Sequence, residues 1–164
     1  MDVDGRRDYE WVYRASFTST ARTVFLIVGD RAVAEEITQE AFIKLLQKWS
    51  TVADYERPEA WARKVAVRMA VRHVGRERTR PLRERAAQPD PVDPVLPDPD
   101  VAAAVATLAP MQRAAVVLYY WEDRPVLEIA RLLQVSESTV KQHLHRARAR
   151  LAERLNEEVS GHVR

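Results

Sequence analysis

Cysteine is absent from this 164-residue chain, which removes disulfides, thiol catalysis and cysteine-based metal sites from consideration. Glycine is scarce, with four residues, and none of them builds a Gly-rich phosphate loop. No apolar run approaches the ~20 residues that a bilayer span requires, and the opening stretch MDVDGRRDYEW lacks the apolar core of a signal peptide. A cytoplasmic chain without a membrane anchor is therefore expected. Strand-type alternation is missing over any useful length, which points to an all-α protein. No metal cluster or nucleophile–base spacing is present either. His73, His143, His145 and His162 do not form a ligand set, because His143 and His145, two apart on a helix, point in different directions. The expectation is a non-enzyme that carries neither cofactor nor metal.

What is present is charge, in a telling distribution. The formal net charge is only +2. Residues 1–80 carry 15 basic and 12 acidic side chains, residues 81–100 carry 2 and 5, and residues 101–164 carry 9 and 7. Two basic regions thus flank an acidic one. The acidic stretch, RPLRERAAQPDPVDPVLPDPD, holds six of the nine prolines. Proline at that density removes backbone donors and drives each preceding residue out of the helical region. It reads as an extended linker over 80–99 between two small helical domains, about 5–79 and 100–158. Apolar periodicity places helices at Tyr9–Val28, Ala32–Trp49 and Pro58–Arg78 in the first domain. In the second it places them at Asp100–Thr107, Met111–Trp121, Val126–Leu133 and Glu137–Glu157.

The segment VLEIARLLQVSESTVKQHLHRARARLAERL, residues 126–155, has the form of a helix-turn-helix. Ile129, Leu133, Val135, Val140, Leu144, Ala147 and Leu151 fall at helical spacing and would pack it together. Ser136 is a suitable N-cap for the second helix, with Glu137 at its positive end. The residues left outside are Glu137, Ser138, Lys141, Gln142, His145, Arg148 and Arg150, which suit base edges and phosphates. The competing reading is an amphipathic helix with a solvated basic face.

In the first domain, Lys64, Arg68, Arg72 and Arg76 recur every four residues and form a cationic stripe. Such a stripe fits a phosphate backbone, or a single strand where aromatic groups stand nearby. Trp49, Tyr55 and Trp61 are candidates for that stacking, although Trp61 fits a core position better. The preceding helix differs in character: AEEITQEAF, residues 34–42, places Glu35, Glu36, Gln39 and Glu40 on an acidic, polar surface suited to a basic protein partner.

These motifs together resemble a sigma factor of bacterial RNA polymerase, of the extracytoplasmic-function (group IV) class, over about residues 7–156. Gly29-Asp30 with AEEITQEAF resembles the GD…AEDLVQETF signature of region 2.2, and PEAWARKVAVRMAV resembles the RAWLYRIARNLAI of regions 2.3 to 2.4. The region 4 pattern coincides at Leu108, Gln112, Arg113, Glu128-Ile129-Ala130, Thr139-Val140-Lys141 and Arg146-Ala147-Arg148. The resemblance implies promoter-specific initiation. Glu36, Gln39 and Phe42 would contact the clamp helices of the polymerase largest subunit, and region 4 would meet the flap of the second-largest subunit. The loop Ser50–Arg57, with Tyr55, would capture a flipped base of the −10 element, and Arg63, Lys64, Arg68 and Arg72 would hold the opened strand. Lys141, Gln142 and His145 would face base edges of the −35 element, with Thr139, Arg146 and Arg148 on phosphates. The linker would run through the polymerase cleft, and an anti-sigma factor is a further partner the resemblance allows.

The chain departs from the pattern in several places. Arg68 and Arg72 stand where the family usually has Asn and Asp. Gln134 replaces the turn glycine, so a strained or altered turn is expected there. Ser138 replaces a glycine at the start of the reading helix, and Gln142-His143 stands in a usually more arginine-rich stretch. A stand-alone helix-turn-helix regulator is the alternative function, but it leaves the three-helix N-terminal part without a task. A helical adaptor binding only protein leaves the two basic surfaces unexplained.

Overall fold

The computed structural model describes residues 3–77 and 99–161. Among these, every regular element is helical. The chain divides into two compact units, 1–73 and 74–164, the division falling at the last turn of a helix. The linker expected over 80–99 lies outside the described residues except for Pro99, which already begins a helix; His162 also lies outside them.

The first unit begins with α1, Val3–Val28, and α2, Arg31–Gln47, which pack along each other. Their connection is two residues long because Gly29 takes a positive φ of 76°, open to glycine without a Cβ penalty. Asp30 then caps α2, its carboxylate accepting from the Val33 N–H at 3.0 Å. The core behind this turn is aromatic. Phe42 packs against Tyr13 and Phe17 with centroids 5.3 and 5.5 Å apart, and Tyr9 meets Trp49 edge-on at 5.5 Å. The Tyr9 hydroxyl donates to the Phe42 carbonyl at 3.0 Å. Burial, reinforced by Tyr13, pushes this phenol above its ordinary pKa, so it stays a neutral donor.

The span Ser50–Arg57, expected to be a plain break, starts with helical residues. A single turn, α3, covers Trp49–Val52 and seats Trp49 and Val52 in the core. From Pro58 to Glu77 runs α4. Ala62, Ala66 and Ala70 are fully buried along one of its sides, where small side chains let the helix approach closely.

The second unit contains α5 (Pro99–Ala106), α6 (Pro110–Val116), α7 (Val126–Leu133) and α8 (Glu137–Gly161). Pro110 occupies the first turn of α6 as expected, whereas Pro125 is the cap residue just outside α7. Arg113 Nη1 reaches the Ala106 carbonyl at 3.4 Å, and burial lowers its pKa. After α6 the chain widens into a π-helical turn over Val117–Trp121, closed by Glu122 N–H on the Val117 carbonyl at 3.0 Å.

α8 packs on α6 and α7 and turns Val140, Leu144 and Ala147 inward, and Ile129 and Leu133 of α7 are buried as well. The turn between α7 and α8 is closed at both ends. Ser136 Oγ accepts from the Thr139 N–H at 3.1 Å, capping α8. Gln134 takes the left-handed conformation, φ 55° and ψ 46°, at the end of α7. The Val135 N–H returns to the Ala130 carbonyl at 3.1 Å.

The strain expected at the missing glycine is therefore present, and Gln134 is exposed, with no packing of its own to lose. Gln134→Gly should stabilise the second unit by about 0.5–1 kcal/mol, the relief of about 1–2 kcal/mol of left-handed strain less about 0.4–1 kcal/mol of added unfolded-chain entropy. Thermal unfolding of the two chains side by side checks this, and a lower midpoint for the glycine variant would contradict it.

Candidate nucleic-acid interface

Burial of Val140, Leu144 and Ala147 turns the opposite face of α8 to solvent. Glu137, Ser138, Lys141, Gln142, His145, Arg146, Arg148 and Arg150 are all exposed. They do not form one uniform surface. At about 100° per residue, Lys141, His145 and Arg148 share one side, while Gln142, Arg146 and Arg150 share the other. Arg146 and Arg150 border a surface hollow of about 480 Å³ with Thr107, Leu108, Gln112 and Glu153. Thr139 is half-exposed, its hydroxyl 2.8 Å from Ser136 Oγ, so it belongs to the cap as well as to the surface. Arg148 is held differently. Its Nε–H donates to the Tyr120 hydroxyl at 2.7 Å, and its guanidinium carbon lies 5.7 and 6.0 Å from the Tyr120 and Tyr119 ring centroids.

On α4 the residues Lys64, Arg68, Arg72 and Arg76 are exposed along the side opposite the alanines. Lys64, Arg68 and Arg72 form no ion pair among the described residues. Arg63 does not join them: it lies one residue out of phase, on the alanine side, and its Nη2 donates to Thr23 Oγ1 at 2.9 Å. Arg63, expected beside them, therefore stands apart from the stripe, half-exposed on the alanine side.

The stacking candidates are also redistributed. Trp49 is 6% exposed and belongs to the core, and Trp61 packs partly buried against the same cluster. Tyr55 stays 49% exposed and borders a groove of about 550 Å³ with Trp11, Pro58 and Trp49, which Asp8, Glu56 and Glu59 also line. The sequence reading missed Trp11, which is 71% exposed. A helical wheel carries the signal, since the phase that buries Val12, Thr20, Val24 and Ile27 leaves Trp11 outside.

The third surface is on α2. Glu36 and Gln39 are exposed as expected, but Phe42 is only 1% exposed and is the centre of the aromatic core. It shares its face with Ala34, Thr38, Ala41 and Leu45, all buried, so a protein partner cannot reach it. The apolar groups that do stand outside are Ile43 and Leu46, at 53% and 40% exposure.

Among the described residues no group of His, Asp or Glu could hold a metal ion, and no helix is long and apolar enough to cross a membrane. Residues 12–80 match the family described as Sigma-70 region 2, and residues 100–151 match Sigma-70, region 4. An RNA polymerase sigma-E factor of Streptomyces antibioticus is 32% identical over 161 residues, covering 90% of this chain and 84% of that protein. The ECF RNA polymerase sigma factor SigL of Mycobacterium tuberculosis is 30% identical, covering 77% of this chain and 76% of that protein. The fold is similar to that of sigma factor RpoE of Bartonella quintana, solved with the anti-sigma factor NepR. The TM-score is 0.58 at 20% identity, over 92% of this chain and 98% of that one. The helix-turn-helix, the α4 stripe and these matches agree: the chain belongs to the extracytoplasmic-function sigma factors of the sigma-70 family of RNA polymerase.

Proposed function

We propose that this cytoplasmic sigma factor reads the −35 element with α8 and holds the opened −10 strand with the α3–α4 side of its first unit, residues 5–79. The linker 80–99 joins it to the reading unit, residues 100–158. One observation carries the reading: each unit turns exposed cations to solvent, away from its own buried apolar row. Mutual repulsion along Lys64, Arg68 and Arg72 costs stability unless a polyanion compensates it.

Lys141, Gln142 and His145 lie in the first turns of α8, where a reading helix meets base edges. Arg148 and Arg146 take phosphates on either side, and Thr139 supports the capped helix end. In the first unit, Tyr55 and the adjoining groove with Trp11 offer stacking surface for an unstacked base, a contact of about 1–3 kcal/mol. Strand opening then follows from trapping bases outside the stack and needs no catalytic residue. The clamp helices of polymerase dock on α2 through Glu36, Gln39, Ile43 and Leu46, a polar and apolar mixture that replaces the buried Phe42. The second unit meets the flap of the second-largest subunit, and an anti-sigma factor competes for these surfaces.

Transcription with purified core polymerase tests the reading. Specific initiation should appear only when this chain is added. Tight duplex binding by the chain alone, with no association with polymerase, would instead favour a stand-alone regulator. Lys141→Ala should relax base preference at one −35 position, costing about 1–3 kcal/mol on the preferred base. Equal loss on every sequence would remove Lys141 from base reading. Ile43→Asp should weaken association with core polymerase by more than about 1 kcal/mol while leaving thermal stability unchanged, because the side chain is exposed. Unchanged co-purification would move the docking surface off α2.

A further inference from the structure

We propose that Tyr120 is a positioning residue whose hydroxyl pins Arg148, so that the two terminal nitrogens of the guanidinium are presented to a phosphate of duplex DNA. The inference rests on the reading of α8 as the duplex-binding helix and deepens it.

Tyr120 is 57% exposed, so its ring contributes little to the core. Its hydroxyl nevertheless accepts the Arg148 Nε–H at 2.7 Å, between residues 28 apart in sequence. The backbone around it is unusual in the way that would create this contact. A regular helix separates consecutive side chains by about 100°. The wider π-helical turn over Val117–Trp121 brings successive side chains closer in direction. Tyr119 and Tyr120 accordingly stand edge to face at 4.9 Å, and both rings lie beside one guanidinium. The π-turn gives up regular hydrogen-bond register, and the exposed Tyr120 ring recovers no core packing in exchange. What the turn does produce is this cradle.

The chemistry left on Arg148 fits a phosphate. Guanidinium carries five N–H donors, and the tyrosine takes the single one on Nε. The remaining four are on the terminal nitrogens, whose planar edge suits two oxygens of a phosphate. Arg148 lies about 16 Å along α8 from Glu137 at 1.5 Å per residue. It is thus beyond the first turns that reach base edges and within reach of the flanking backbone. The side chains of Lys141, Gln142 and His145 make no hydrogen bond or ion pair among the described residues. Arg148 alone among the proposed reading residues has its side chain fixed by another element of the unit before DNA arrives. Pre-fixing removes rotamer freedom that a long cation would otherwise lose on binding.

Phosphate contacts carry no sequence information, so a short mixed-sequence duplex serves as the probe for the full-length chain, titrated by fluorescence anisotropy over a range of salt. Tyr120→Phe keeps the ring and deletes only the acceptor. It should weaken binding by about threefold to tenfold. The salt slope should stay unchanged, because Arg148 still neutralises its phosphate. Arg148→Ala should lower the slope by about one. With Arg148→Ala already in place, Tyr120→Phe should have no further effect. Arg148→Lys, which keeps the charge without an Nε–H, should likewise be insensitive to Tyr120→Phe. An equal loss from Tyr120→Phe with or without Arg148, or no loss at all, overturns the positioning role. If Arg148→Ala alone changes neither affinity nor slope, the phosphate reading of Arg148 fails first and takes the proposal with it.

Discussion

The rotation of α8 about its own axis is set by the burial of Val140, Leu144 and Ala147 against α6 and α7, and every proposed DNA contact of the second unit depends on it. Three small or medium apolar side chains at helical spacing leave one way for the helix to lie without exposing them. Lys141, His145 and Arg148 then face one side and Gln142, Arg146 and Arg150 the other. The same constraint acts in the first unit, where Ala62, Ala66 and Ala70 fix the phase of α4. Lys64, Arg68 and Arg72 are consequently exposed, and Arg63 is turned against α1. Function in both units follows from which residues the cores decline to take.

Register along the chain is as important as rotation, and the turn before α8 supplies it. Ser136 ends the turn by capping α8, and the Val135 N–H closes the end of α7 on Ala130. Between them Gln134 occupies a backbone region that glycine enters without cost. The cost is local and does not alter the geometry, because the cap and the burial of Ile129, Leu133 and Val140 over-determine the turn. Keeping Gln134 places a polar side chain, rather than none, on the exposed side of the turn.

Where the helical phase decides, the sequence is a sufficient guide. The helix-turn-helix, the Ser136 cap, the strained Gln134 and the exposed faces of α4 and α8 follow from spacing and turn chemistry. Phase also accounts for two misplacements and one omission once it is applied residue by residue. Phe42 falls on the buried face with Ala34, Thr38 and Leu45, Arg63 falls beside the alanines, and Trp11 falls outside its stripe. The resemblance to known sigma factors had suggested contact positions for Phe42 and Arg63 that this chain's own periodicity contradicts. The π-helical turn is of another kind. VVLYYWED carries no local signal for an extra residue in the turn, and the contact that the turn serves is with a partner 28 residues away on α8. Tertiary contacts of that sort are invisible to a reading made one helix at a time.

The ion pairs show how the surfaces are kept available. Arg31–Glu35 and Lys44–Glu40 at 3.1 Å each join residues one turn apart on α2, and Arg124–Glu128 does the same at the start of α7. Exposed pairs of this kind contribute at most about 1 kcal/mol each, so they do not hold the fold together. Their effect is to neutralise charge locally on α2 and at the start of α7, while Glu36 and Gln39 beside Ile43 stay outside these pairs. A chain with a net charge of +2 can present an acidic, polar face and two cationic faces only if each sign is confined to its own helix side. Arg148 extends the pattern by binding a neutral hydroxyl. An acidic tether would have cancelled its charge, whereas Tyr120 fixes its direction and leaves the full positive charge for a phosphate.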